Sequence, residues 1–308
     1  MLRAKEAKML SREKLERVIT EPGFAEAARA LVDCGYEDMS AMDSRQINET
    51  LERHRAKAFA EVGSMTPDSV VADLFRLKYE YHNAKVLVKS DGGRDSLLSA
   101  AGRYDPAKLK AYYESGESAD LPKCLTEAMD EARMVLARTA NPQLADQILD
   151  QAYFAELSES AQASNDEFIQ GYVKRMIDST NLRTSVRVQK MGKQEDLLAG
   201  ALIPGGTIAV ERILEAAGSR ESLAQLYDST VFAAALAEEG TTAFELACDN
   251  AVNAYLAGAQ RISFGSAVVI GYLAAVENEV MAIRIILTGK LMGIDTKLLR
   301  ERLRDTYV

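Results

Sequence analysis

An all-α protein of three similar helical domains is what this sequence predicts, on three observations. The first is composition: Ala, Leu, Glu, Arg and Lys dominate the 308 residues, while Pro (6) and Trp (0) are scarce, a balance that favours helices throughout. The second is spacing, because apolar residues recur three and four apart and no β-type alternation of any length is visible. The third is an internal repeat with a period of about 100 residues. A chain of this length is long for one core and natural for two or three domains.

The repeat is carried by three segments that align without gaps. The first runs from Asp73-Leu74 to Glu80-Tyr81-His82-Asn83-Ala84-Lys85. The second runs from Gly171-Tyr172 to Asp178-Ser179-Thr180-Asn181-Leu182-Arg183, and the third from Tyr272-Leu273 to Glu279-Val280-Met281-Ala282-Ile283-Arg284. Each carries an acid, two residues, Asn or Ala, a small or aliphatic residue, and then a base. In the third copy Val269, Leu273, Val276, Val280, Ile283 and Leu287 follow a 4-3-4-3-4 spacing, a continuous apolar stripe on one helix. Val70, Leu74, Leu77, Tyr81, Ala84 and Val88 take the same positions in the first copy, and Phe168, Tyr172, Arg175, Ser179, Leu182 and Val186 in the second.

The predicted helix starts agree as well. Thr66 before Pro67 reads as an N-cap with Pro at the first helical position. Ser164 with Glu167 reads as a capping box, and Ser266 falls within one residue of the equivalent place. A second landmark, Glu52, Asp150 or Asp249, lies about 31 to 33 residues upstream of the Asn83, Asn181 or Ala282 position, each in its own amphipathic run. A third correspondence relates Leu197-Leu198 … Pro204-Gly205-Gly206 to Leu97-Leu98 … Asp105-Pro106, and the third copy ends before this element. Breaks fall at Asp91-Gly92-Gly93, Glu114 to Asp120, Asn141-Pro142, Met191-Gly192 and Ile203 to Thr207, where Gly and Pro punctuate. The period is too long for a tetratricopeptide or armadillo array. It predicts three helical domains at residues 1–105, 106–205 and 206–308, related by duplication with an approximate threefold likeness.

Charge and cysteine content restrict function. The net charge of −9 argues against a nucleic-acid binder. Cys34, Cys124 and Cys248 are far apart and suggest no disulfide framework, so a reducing cytoplasm is the expectation. Met1 to Leu10 is charged, without the apolar region of a signal peptide. The most apolar stretch, Ser266 to Val276, falls short of the roughly 20 residues that span a bilayer. Any membrane role is therefore expected to be peripheral.

Catalytic chemistry finds little to stand on. His54 and His82 are the two histidines, and neither has a His or Cys partner at metal-ligand spacing, so no metal is expected. Gly289-Lys290 and Gly192-Lys193 fail as phosphate-binding loops. The leading glycine is replaced by Arg284 or Arg187, and the Ser/Thr position by Leu291 or Gln194. No direct nucleotide binding is expected by that motif, and no cofactor. Pro204-Gly205-Gly206-Thr207 could cradle an anion, though a helix-joining loop is the plainer reading. The carboxylate pairs Glu277/Glu279 and Asp146/Asp150 fit solvated faces or interhelical ion pairs. Glu80, Asn83, Lys85, Asp178, Asn181, Arg183, Glu279 and Arg284 are read as structural ties, since one active site seldom needs three equivalents. Arg183, Arg187, Lys190 and Lys193 form the most basic stretch and the candidate partner contact, with a solvated helix end as the plainer alternative.

The run Gly271-Tyr272-Leu273-Ala274-Ala275-Val276-Glu277-Asn278-Glu279, followed by Ile283-Arg284-Ile285-Ile286 and Gly289-Lys290, resembles the C subunits of bacterial and archaeal V-type (A-type) ATPases, relatives of the eukaryotic vacuolar d subunit. So does Arg3-Ala4-Lys5-Glu6-Ala7-Lys8-Met9-Leu10-Ser11-Arg12, and so does Ala27-Ala28-Arg29-Ala30-Leu31 leading into Gly35-Tyr36. With Asn83-Ala84-Lys85 and Asn181-Leu182-Arg183 between them, the likeness covers essentially the whole chain. The resemblance implies a funnel-shaped, three-domain helical protein without catalytic activity. It would sit at the cytoplasmic face of the membrane, peripherally, and join the proteolipid ring to the central-stalk axle subunits. A generic helical scaffold with soluble partners is the alternative, and an enzyme the third. Ala282 departs from Asn83 and Asn181, so one polar tie should be missing there.

Overall fold

A computed structural model describes residues 2–65, 70–117, 120–192 and 195–307. Among these residues there is no strand, and the fold is all-α as expected. In chain order the helices are α1 (Leu2–Glu6), α2 (Arg12–Thr20), α3 (Phe24–Val32), α4 (Ser44–Met65), α5 (Val70–Ser90), α6 (Pro106–Ser115), α7 (Lys123–Thr139) and α8 (Pro142–Ala163). They continue as α9 (Glu167–Lys190), α10 (Glu195–Ala201), α11 (Val210–Ala216), α12 (Arg220–Tyr227), α13 (Ala233–Ala237), α14 (Thr241–Ala257), α15 (Ser266–Leu291) and α16 (Thr296–Arg300). The chain divides into two compact units, Met1–Ala58 with Arg220–Val308, and Phe59–Ser219. The repeat segments are the long helices α5, α9 and α15. The upstream landmark acids lie on α4, α8 and α14.

Short polar side chains start many of these helices by taking up backbone N–H groups that the first turn leaves without partners. Asp43 and Gln46 form a reciprocal box at the head of α4, each side chain accepting from the other's N–H at 2.8 and 2.9 Å. Asn141 and Asp105 cap α8 and α6, with Pro142 and Pro106 at the first helical position. The predicted box of Ser164 with Glu167 does not form. Asp166 caps α9 instead, its Oδ1 accepting from Phe168 and Ile169 N–H at 2.8 and 3.1 Å. Ser164 closes α8, donating from its hydroxyl to Ala161 O. The carboxylate sits nearer the exposed N–H groups and carries the charge that the positive helix end favours. Gly265, not Ser266, is the residue before α15, and the predicted Thr66-Pro67 cap lies outside the described residues. All three repeat helices end on a left-handed glycine, Gly92, Gly192 and Gly293, at φ 75°, 61° and 71°.

The predicted stripes are buried in the first and third copies. Leu74, Leu77, Tyr81, Ala84 and Val88 are in the core, as are all six positions from Val269 to Leu287; the Val70 side chain lies outside what is described. In the second copy the seam turns by one residue over its first half. Ile169, Val173 and Ile177 are buried, while Phe168, Tyr172 and Arg175 are only half-buried. Arg175 explains the turn, since its guanidinium stays at the margin and donates to Gly171 O at 2.9 Å. Phe75 stacks on Tyr172 with ring centroids 5.5 Å apart and an interplanar angle of 2°, so the displaced tyrosine still packs.

α15 is long and apolar enough to cross a membrane by length and composition, but 72% of its apolar window is buried within the protein. It is the central helix of its unit, buried nearly all round. Two glycines permit that. A Cβ at Gly271 would meet the Tyr307 hydroxyl and lie 2.9 Å from the Ala259 Cβ, and one at Gly289 would meet Leu299. Gly289-Lys290 therefore serves helix packing. Gly271→Ala should destabilise the protein by about 1–3 kcal/mol through overpacking, read as a lower denaturant midpoint with an unchanged slope.

Candidate functional site

Acid and Asn stand three residues apart in the repeat motif, so they share one helix face, while the base two residues further on points elsewhere. In the first copy the Asn83 Nδ2 donates to the Ser99 carbonyl at 2.9 Å, and its Oδ1 accepts from the Ser99 N–H at 2.8 Å. In the second, Asn181 does the same to Ile203 at 2.7 and 2.8 Å. Four residues along each strap, the acid takes another backbone group. Glu80 accepts from the Arg103 N–H and Asp178 from the Thr207 N–H, both at 2.8 Å. Each acid then takes a side-chain donor from the same strap residue: the Arg103 guanidinium on Glu80 at 2.7 Å, and the Thr207 hydroxyl on Asp178. Two side chains on one helix face thus clamp a loop by its backbone.

A glycine precedes the clamped residue in both straps. A Cβ at Gly102 would lie 3.1 Å from the Glu80 Cγ, and one at Gly206 would overlap the Asp178 carboxylate. The hydrogen bonds pair Ser99 with Ile203 and Arg103 with Thr207, so the strap alignment lies four residues beyond the predicted match of Leu97-Leu98 with Leu197-Leu198. The difference arises because the second copy carries α10 before its strap, where the first has only a 3-10 turn at Asp95–Leu97. The recurring Gly-Arg and Gly-Thr were the sequence signal for this element.

The third helix differs as Ala282 requires, having no side-chain amide to offer. Its acid still receives a backbone donor: the Leu10 N–H reaches Glu279 Oε2 at 2.5 Å, and the Tyr36 hydroxyl donates to Oε1. Burial pushes all three carboxyls above their ordinary range. Arg103 pulls Glu80 back, Thr207 and Ile208 pull Asp178 back, and Leu10 and Tyr36 do the same for Glu279.

The bases reach the landmark acids on neighbouring helices. Lys85 pairs with Asp150 at 2.5 Å and Arg284 with Glu52 at 2.8 Å, while Asp249 takes Arg304 at 2.6 Å. Asp146 holds Lys89 at 2.9 Å, so the Asp146/Asp150 pair consists of interhelical ion pairs. Arg183 is half-buried, and Arg187 and Lys190 are exposed in the last turns of α9, where cations suit the helix dipole. Lys193 lies outside the described residues. His54 is half-buried and stacks on Tyr36 with centroids 4.5 Å apart, and His82 sits 3.0 Å from Leu97 O on the surface. Among the described residues no three His, Cys, Asp or Glu side chains gather as a metal site would require.

Residues 1–302 match the model of the family described as ATP synthase (C/AC39) subunit. The chain belongs to that family. Its relatives include the C subunit of the V-type sodium ATPase of Enterococcus hirae, 21% identical with 100% of this chain and 97% of the relative covered. The C subunit of the A-type ATP synthase of Thermococcus onnurineus is 25% identical over 99% of this chain and 88% of its own length. That of Methanocaldococcus jannaschii is 24% identical over 98% and 84%. In this member of the C/AC39 family, the polar repeat residues described above are engaged by the chain's own backbone and side chains.

Removing one Asn tests the clamp. Asn181→Ala leaves the buried N–H and C=O of Ile203 without partners and should cost about 2–4 kcal/mol, measured by denaturant unfolding, with Asn83→Ala behaving alike. The raised carboxyls give a sign for pH. The folded state holds a proton on Glu279 more readily than the unfolded chain does, so that stability is present at low pH and lost as pH rises through the raised value. The stability of the wild type relative to Glu279→Gln should therefore be greatest at and below the ordinary glutamate range of about 4.3 and fall as pH rises through the raised value, in unfolding curves taken at several pH values.

Proposed function

We propose that this chain is a non-catalytic coupling component of a V/A-type ATPase or ATP synthase. In this reading it joins the central-stalk axle to the proteolipid ring, at the cytoplasmic face of the membrane and without spanning it. The observation that carries the reading is the family match over residues 1–302, which leaves almost none of the chain for another task. The three helical domains at 1–105, 106–205 and 206–308, with their threefold, funnel-like arrangement, are part of the same proposal. So is the structural role of the acid–Asn–base sets, which suits a part that must stay stiff under torque.

Two features support a piece that meets partners at more than one place. Phe264 is 89% exposed before α15, and Met292 is 71% exposed after it. The helix between them has 26 residues and is about 39 Å long. Both side chains are proposed as partner contacts at the two ends of that helix. Arg183, Arg187, Lys190 and Lys193 remain the proposed basic contact. Reversing the charges of Arg187 and Lys190 should weaken assembly without unfolding the chain, at a stability cost of about 0.3–1 kcal/mol per charge from the helix dipole, and unchanged assembly would remove the patch from the proposal.

Affinity capture of the tagged chain from detergent-solubilised native membranes, with bound chains identified by mass spectrometry, tests the assignment. Recovery of the proteolipid and the central-stalk subunits is expected. If an intact ATPase is present and neither is recovered, the rotor reading fails and a scaffold with soluble partners replaces it.

A further inference from the structure

The acid of the third repeat is satisfied by the beginning of the chain. Glu80 and Asp178 each accept a backbone N–H from the segment that follows their own helix, Arg103 and Thr207. Glu279 stands at the same motif position and accepts the Leu10 N–H. Each acid also takes a side-chain donor: the Arg103 guanidinium, the Thr207 hydroxyl and, for Glu279, the Tyr36 hydroxyl.

The rest of the N-terminal segment is built into the same unit. α1 packs on α15. Arg3 donates to the carbonyls of Ala259 and Ile262 at 2.6 Å and pairs with buried Glu6, which accepts from the Tyr307 hydroxyl at 3.3 Å. Met9 and Leu10 line a cavity of about 20 Å³ together with Ala282, where the other copies place Asn83 and Asn181. The ion pairs give a second, independent sign of the same order. Lys85 of the first copy holds the landmark acid of the second, Asp150, and Arg284 of the third copy holds that of the first, Glu52. The third copy therefore hands on to the first as the first does to the second.

We propose that Leu2–Leu10 is the strap of the third repeat, displaced to the front of the chain, and that the slot around Glu279 on α15 is a binding site for this segment. The three repeats are then cyclically permuted in sequence, with the strap of the third lying ahead of the first. Glu279 is the positioning residue of the slot, and the strap's backbone is its ligand.

Amide hydrogen exchange on the full chain reads this directly. Glu279→Ala should speed exchange of residues 2–10 at least about tenfold while the helices of residues 59–219 keep their protection. Glu80→Ala should release residues 99–105 by a similar factor and leave residues 2–10 alone. Unchanged exchange of residues 2–10 in Glu279→Ala overturns the proposal, and so does loss of protection throughout α14 and α15, since that marks a general core role. A circular permutant supplies a second measurement. It begins at Ser11 and joins Val308 to Met1 through a flexible Gly/Ser linker of about ten residues. The expected result is native helical content with the Leu10 amide still protected; a permutant that folds with that amide exposed, or does not fold, overturns the displaced-strap assignment.

Discussion

The structure depends on buried side chains that do the hydrogen bonding of loops. A loop packed against a helix has N–H and C=O groups that neither helix nor water satisfies, and each such group left bare costs about 1–3 kcal/mol. Asn83 and Asn181 each serve both backbone groups of one residue, and Glu80 and Asp178 serve the N–H of a second residue four positions on. Their own burial is costly, as the raised carboxyls record. That cost is met because a bare carboxylate and bare backbone groups would be worse together than either bonded arrangement. The outcome is a helix face that fixes the path of the chain after it.

Much of this was legible in the sequence, and the limit has a physical boundary. The helices α5, α9 and α15 followed from 4-3 spacing, and the acid, Asn and base stood out because they recur at a fixed register. What the motif holds was not legible. Ser99 lies 16 residues from Asn83 and Ile203 lies 22 from Asn181, so the partner falls at no constant offset, and it contributes backbone atoms that carry no sequence mark. Only Gly102 and Gly206 betray the strap, through the space the acid needs. The cap of α9 was misplaced by two residues because Ser164 and Asp166 are both good capping residues, and only the end of α8 decides between them. Leu10 as the partner of Glu279 was out of reach of any local pattern.

The same division explains what the acids and glycines of the repeat helices do. The acids that the motif singles out are occupied by the protein's own donors, Gly289 of the failed phosphate-loop match is a close-contact point for Leu299, and Gly271 is one for Tyr307 and Ala259. In this C/AC39 protein the acid and amide side chains of the repeat helices are turned inward onto the chain's own backbone.

Coupling is tested most directly by ATP-driven ion transport in reconstituted vesicles. ATPase complexes prepared without this chain should hydrolyse ATP but move no ions, and adding the purified chain should restore transport in proportion to its incorporation. Full ion transport by complexes shown to lack the chain would contradict the coupling role.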